Sequence, residues 1–236
     1  MVDAAAVRQA QGFHWSTALT EAAIAAMEDA TVADAPQPVM AAPVDLRLPP
    51  GSTRTEAVAL VEAMARRRTS RAPADSPLAL DSLSWLLGHA AGARDDGGRP
   101  HPSALAIYPL RLDVVALRCD GLPGGVHRYE PDTHGLRTIA SGDRSAAVAT
   151  AFGRDWLRRA RVVLVISADL AQATDHADAR GYRYALLEAG HLAQNLLLLA
   201  AAVDLPACPL GGFADGALAQ VVGAAGHEVV LYTVAL

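Results

Sequence analysis

The segment from Tyr182 to Val203 constrains this chain most. It holds no helix breaker after Gly190 and is apolar nearly all round, which predicts one long helix buried at the centre of a domain. Its greasiest run, Leu196 to Val203, is far shorter than the roughly 20 residues needed to span a bilayer. The rest must be arranged around this helix. "RVVLVIS" reads as a short buried strand, "LRLDVVALRC" as an alternating strand, and "GVHRYEPDTHGLRTI" as a hairpin whose turn is "PDTHG". "HEVVLYTVAL" is a closing strand. Helices are predicted near Ser145 to Arg159, over Leu80 to Ala91, and from Arg54 to Arg68, where Val58, Val61 and Met64 recur at helical spacing. "GARDDGGRPHPSALAIYP" is a Gly/Pro-rich loop with a short helical start at Ser103.

The beginning of the chain differs in character. An Ala-rich helical stretch over residues 16 to 30 runs into "VADAPQPVMAAPVDLRLPPG", where five prolines in twenty residues forbid regular structure and leave an extended arm. The expected organisation is an N-terminal helix and arm over residues 1–50, followed by one α+β domain over residues 51–236 with a central, mostly antiparallel sheet and flanking helices.

Composition narrows the function. A net charge of −5 and a sequence pI near 5.9 provide no domain-wide positive field for nucleic acid or an anionic membrane, so neither is expected as a partner. All 20 basic residues are arginine. The absence of lysine excludes Schiff-base chemistry, a phosphate-binding P-loop lysine and a lysine general base. Cys119 and Cys208 match no zinc spacing, are too few for a disulfide framework and suit a reducing compartment. The opening "MVDAAAVRQAQGFHW" lacks the features of a signal peptide, so the cytoplasm is the expected location.

Within this acidic chain "RRRTSR", Arg66 to Arg71, places four arginines in six residues. The cluster is either a solvated helix end or an anion clamp in which Arg67, Arg68, Thr69 and Arg71 offer guanidinium forks and a hydroxyl to a phosphate monoester. The glycines of "PLGGFADG" do not form the G-x-G-x-x-G of a dinucleotide fold. No metal site is expected, since neither H-E-x-x-H nor a tight Cys/His spacing occurs.

The ordered set "FHWST", "RRTSR", "RPHPSALAIYP", "GLPGGVHRYEP", "RGYRYALLEAGHLAQNLLLLAAAVDL", "PLGGF" and "HEVVLY" resembles the SagB-type dehydrogenases, a branch of the nitroreductase-like flavoproteins, from about residue 13 to 234. The resemblance implies FMN as cofactor, a homodimer with two flavin sites at the subunit interface, and oxidation of thiazolines or oxazolines in ribosomally made peptides. It further implies that Arg67, Arg68, Thr69 and Arg71 hold the phosphate, with Thr69 in place of the usual serine. Pro102, Ser103, Ala104 and Leu105 of "PSALA" would approach the flavin from the other subunit, with Leu105 replacing a glycine. Pro209, Leu210, Gly211 and Gly212 would pass over the isoalloxazine.

Azoline oxidation removes a Cα proton and transfers a Cβ hydride to the flavin, which leaves the protein to place a base. The Lys-Tyr pair that family members carry before "RGYRY" is His176-Ala177 here. His176, whose imidazole type titrates near neutrality, and Tyr182, flanked by Arg180 and Arg183, are the candidate replacement bases. Glu188, His191 and Asn195 fall on one helical face, either as a network beside the flavin or dimer interface or as helix-to-helix hydrogen bonding in the core; His101 is a weaker candidate. Two alternatives stand beside azoline oxidation. One is an NAD(P)H-dependent nitro or quinone reductase, and the other a catalytically altered subunit that scaffolds a cyclodehydratase complex.

Overall fold

The computed structural model describes residues 12–13, 45–50, 58–72, 75–175 and 177–236. The helix expected over residues 16–30 and all but the end of the Pro-rich arm lie outside them. Six helices are labelled here: α1 (Leu60–Arg66), α2 (Leu80–Ala91), α3 (Ser145–Phe152), α4 (Leu170–Thr174), α5 (Arg180–Ala202) and α6 (Asp215–Val222). The strands are β1 (Leu46–Arg47), β2 (Leu78–Ala79), β3 (Leu110–Ala116), β4 (Cys119–Asp120), β5 (Gly125–Glu130), β6 (Gly135–Ser141), β7 (Val162–Asp169), β8 (Cys208–Leu210) and β9 (Glu228–Ala235).

Seven strands form one sheet in the order β1-β6-β5-β3-β7-β9-β8, with every pairing antiparallel, while β2 and β4 make a separate parallel pair. The chain is therefore α+β with a large antiparallel sheet, as its pattern of elements predicts. β7 reads as continuously apolar because both its faces are covered. Val162, Leu164 and Ile166 pack into the core that contains α2 and α5 residues, and Val163 and Val165 into the core that contains α3 and α6 residues. The only described part of the arm is held at the far sheet edge, where Leu46 pairs with Leu136 of β6.

Two glycines carry conformational weight. The helix expected over residues 145–159 ends at Phe152, because Gly153 takes the left-handed C-cap (φ 61°), and the chain continues as a 3-10 turn over Asp155–Arg159. At Gly181 an added Cβ would collide with the Ala173 carbonyl, so the close seating of α4 on the start of α5 requires glycine there.

The central helix differs from the expectation of burial all round. Its buried stripe runs through Ala185, Glu188, Ala189, Leu192, Ala193, Leu196 and Ala200, whereas Leu186 and Leu187 face outward. α5 is long and apolar enough to cross a membrane by length and composition, yet it packs here against α1, α2 and the sheet as a core helix. Complete burial of Leu192 and Leu196 contributes about 1.5–3 kcal/mol each. α1 is shorter than the helix expected over Arg54–Arg68: Val58 precedes it, the chain leaves it after Arg66, Leu60, Val61 and Met64 are exposed, and only Ala63 is buried.

Candidate functional site

The arginine cluster divides into two pairs. Arg66 closes α1 and is neutralised by Glu62 one turn back and by Asp204 across the cleft. Arg68 folds back so that its Nη1 donates to the carbonyls of Ala65 and Arg67, both at 2.8 Å, which satisfies the open end of the helix. Arg67 and Arg71 have no side-chain partner among the described residues. From Arg67 the backbone is extended. Thr69 forms a parallel bridge with Ala207, and the Ser70 amide donates to the Ala207 carbonyl at 2.9 Å. Arg68, Ser70, Leu197, Ala201, Leu205 and Ala207 line an open cleft of about 210 Å³, smaller than the roughly 300–1,000 Å³ of sites that enclose a drug-sized ligand.

The residues after Ala207 form β8, which is pinned to β9 by the Cys208–Ala235 register and by the Thr233 hydroxyl donating to the Leu210 carbonyl at 2.7 Å. The backbone then leaves the sheet at Gly211, which backs onto the Tyr232 ring, and at Gly212, which opens to free space. Two segments far apart in sequence, Arg67–Arg71 and Pro209–Gly212, thus become neighbours through one bridge.

A further arginine that sequence reasoning missed joins them. Ala214 donates to the Ala151 carbonyl at 2.7 Å and Phe213 meets Phe152 edge-on at 5.8 Å, which stitches the end of α3 to the exit of the "PLGGF" segment. Arg154, two residues past Phe152, is exposed and has no side-chain partner among the described residues. Burial pushes the Cys208 thiol up, and the positive charges of Arg71 and Arg154 oppose that rise, which places both near the start of β8. No local pattern marks Arg154; only the packing of α3 against β8 brings it here.

The "PSALA" loop lies elsewhere. Ala104–Ala106 is a 3-10 turn in which Leu105 (φ 55°) and Ala106 (φ 53°) are left-handed, and Leu105 is exposed. Ser103 ties Pro102–Ala106 to α5: its Oγ donates to Glu188 Oε2 at 2.5 Å and accepts from the Tyr108 amide at 2.9 Å. At 1.5 Å per residue, Glu188 is roughly 14–20 Å along α5 from Leu197 and Ala201 at the arginine cleft. Tyr182, six residues before Glu188, is half-buried with its ring edge-on to Phe13 at 5.6 Å, while Arg180 lies over the Tyr184 ring. His176 falls outside the described residues. Glu188 is buried, His191 exposed and Asn195 half-buried, so the three do not share one environment. Among the described residues no group of three or more His, Cys, Asp or Glu could hold a metal ion.

An antiparallel α+β fold of this topology is that of a class of oxidoreductases, and residues 64–236 match the nitroreductase family model; the chain belongs to that family. It is 32% identical over 181 residues to a provisionally named nitroreductase of Methanocaldococcus jannaschii, an alignment covering 76% of this chain and 91% of the relative. It is 28% identical over 153 residues to the microcin B17-processing protein McbC of Escherichia coli, covering 61% of this chain and 56% of that one. Among solved structures, a provisionally named nitroreductase from Anabaena variabilis aligns with a TM-score of 0.67 at 28% identity, over 75% of this chain but only 37% of its own length. The E. coli microcin synthetase complex with truncated pro-MccB17 bound shares the fold over 99% of this chain and 93% of the matched one, with a TM-score of 0.63 at 20% identity.

Proposed function

We propose that this protein is an FMN-dependent dehydrogenase that oxidises thiazoline or oxazoline rings of a ribosomally made peptide to thiazoles or oxazoles, acting in the cytoplasm as a homodimer. The observation that carries the reading is the Thr69–Ala207 bridge, which sets Arg67 and Arg71, without a side-chain partner among the described residues, beside Pro209–Gly212. The donor set fits FMN: Arg67, Arg71 and Arg154 supply fixed positive charge for a phosphate, Thr69 a hydroxyl, and Gly211 and Gly212 backbone that no side chain shields. Arg68 serves the helix end and contributes to the positive field without a direct contact. When bound, FMN supplies the hydride acceptor.

The chain's own residues then bind, orient and deprotonate. Tyr182 is the proposed base for the azoline Cα proton, and His176 the other candidate. Tyr182 and Ala201 are 19 positions apart on α5, about 28 Å along its axis, so the base and the "PSALA" loop serve the clamp of a second copy rather than their own. Exposed Leu105, Leu186 and Leu187, with Leu60, Val61 and Met64, provide apolar surface for that copy. Likeness to the microcin B17-processing protein and the order of the sequence motifs support an azoline-bearing peptide as substrate and a cyclodehydratase complex as partner.

The test is direct. Purified protein should be yellow, release FMN on denaturation, and remove two hydrogens from an azoline peptide, read by mass spectrometry. Colourless protein that neither binds added FMN nor changes the peptide would refute the proposal. The M. jannaschii relative favours a second reading, NAD(P)H-dependent reduction of nitro compounds or quinones, detected as NAD(P)H consumption with those acceptors.

A further inference from the structure

Three non-glycine residues of one short loop, Leu105 (φ 55°), Ala106 (φ 53°) and Tyr108 (φ 50°), adopt the left-handed region. L-residues stay there only where the surroundings over-determine them. The surroundings are a buried acid and a buried imidazole, Glu188 at 3% and His101 at 5% exposure. Through Ser103, Glu188 Oε2 holds both the start of the loop and the Tyr108 amide. Its other oxygen, Oε1, has no hydrogen-bond partner among the described residues and faces His101 Nε2 at 3.4 Å.

The far side of the imidazole decides what lies between them. His101 Nδ1 is 3.4 Å from the Ala90 carbonyl of α2, which can only accept, so Nδ1 carries a hydrogen. A neutral ring would then turn a bare Nε2 lone pair toward a bare carboxylate oxygen in a site without water access, an arrangement that leaves two buried acceptors unsatisfied. One proton between Nε2 and Oε1 resolves it.

We infer that Glu188 and His101 share one proton and act together as the positioning pair that keeps residues 103–108 in their left-handed conformation. Loop order is then proton-dependent. It is complete while the pair is protonated and falls as rising pH removes the proton, because carboxylate and imidazole then repel. The other titratable or charged groups near the pair are Tyr108, whose ring meets His101 edge-on at 5.8 Å, Arg99 over that ring and paired with Asp132, and Tyr184 and His191 one turn to either side of Glu188 on α5. None of the described contacts gives Oε1 another partner. That the loop then governs a partner subunit's flavin site rests on the function proposed above; the shared proton does not.

The experiment uses the full-length protein as purified. Protection of the Tyr108 amide against hydrogen exchange, corrected for intrinsic rate, is followed from about pH 5.5 to about 8.5, with ring ¹⁵N spectra of the histidines and FMN content recorded on the same samples. In the wild type, protection should fall roughly tenfold or more with rising pH. Glu188→Gln keeps an acceptor for Ser103 and has no proton to lose, so its profile should be flat. A flat wild-type profile, or a Glu188→Gln profile that follows the wild type, overturns the inference. If Glu188→Gln does not fold, the wild-type spectrum decides: an Nε2 of His101 that is neither protonated nor hydrogen-bonded while the loop is ordered overturns it equally. A proton-dependent loop in protein that cannot bind FMN would uphold the pair and sink the flavin reading; a flat profile in FMN-loaded protein would do the reverse.

Discussion

Thr69 and Ala207, separated by 137 intervening residues in the chain, face each other across an isolated parallel bridge that ties the end of α1 to the start of β8. This contact fixes the backbone of the arginine run against the Pro209–Gly212 segment, and among the described residues Arg67 and Arg71 have no side-chain partner there.

The proposed function predicts that removing those charges weakens FMN binding. Arg71→Ala is expected to weaken FMN retention about tenfold or more, since a charge-assisted hydrogen bond contributes on the order of 1.5–3 kcal/mol. Arg154→Ala should weaken it in the same direction. Arg66→Ala, which removes a guanidinium already held by Glu62 and Asp204, should leave FMN affinity within about twofold of wild type. Equilibrium dialysis measures all three, and equal affinity in Arg71→Ala and wild type would contradict the clamp.

Subunit complementation tests the separation along α5. Arg71→Ala and Tyr182→Phe should each be poorly active, yet hybrid dimers should regain activity, because one of their two sites combines an intact clamp with an intact tyrosine from the other copy. If both residues served one site within a single subunit, every hybrid site would carry a defect and mixing would restore nothing.

Asp113 of β3 is fully buried opposite Arg128 of β5; Arg128 grips it at 2.9 and 3.1 Å and reaches Glu228 with its other N–H groups at 2.7 and 3.0 Å. Burial pushes the Asp113 carboxyl up against the opposing pull of Arg128. Arg128→Ala strands the carboxylate and should destabilise the protein by about 3–5 kcal/mol near neutrality. A carboxyl with a raised folded-state pKa is stabilised by protonation, so the loss should shrink as pH falls toward the ordinary carboxylate range. Chemical denaturation at two pH values reads both effects.

The described end of the arm carries its own pH response. His134 Nε2 lies 2.9 Å from Ser84 Oγ and 3.1 Å from the Pro49 carbonyl, while Nδ1 is 2.8 Å from the Tyr129 hydroxyl; burial pulls the imidazole down from its ordinary 6.5. A depressed imidazole is held neutral in the folded state. Stability should therefore be full above about pH 6.5 and decline below it, as the unfolded chain takes up a proton that the folded one refuses. His134→Gln should flatten the decline in thermal melts across that window; an unchanged slope would refute the assignment.

Much of the fold was legible because its signals are local. The hairpin strands fall at Gly125–Glu130 and Gly135–Ser141 around the expected turn, and α2 occupies Leu80–Ala91 as predicted. α6, eight residues of "DGALAQVV", escaped because its apolar stripe is too short to stand out from the loops beside it. The division of labour among the four arginines was also hidden. Sequence shows four equal cations, and only the positions of Asp204 and the α1 carbonyls reveal that Arg66 and Arg68 are engaged. The resemblance located the "PSALA" and "PLGGF" segments, but not the fact that Ser103 turns its hydroxyl inward to Glu188. Arg154 carried no signal at all.

α5 behaves as a gauge block. Each residue inserted into or deleted from its span between Glu188 and Leu197 would advance one end relative to the other by about 1.5 Å and rotate it by about 100°, which would swing the acid beneath the loop out of phase with the cleft at the other end. Substituting the outward-facing residues of that interval leaves the spacing of the two ends intact, whereas changing their number does not.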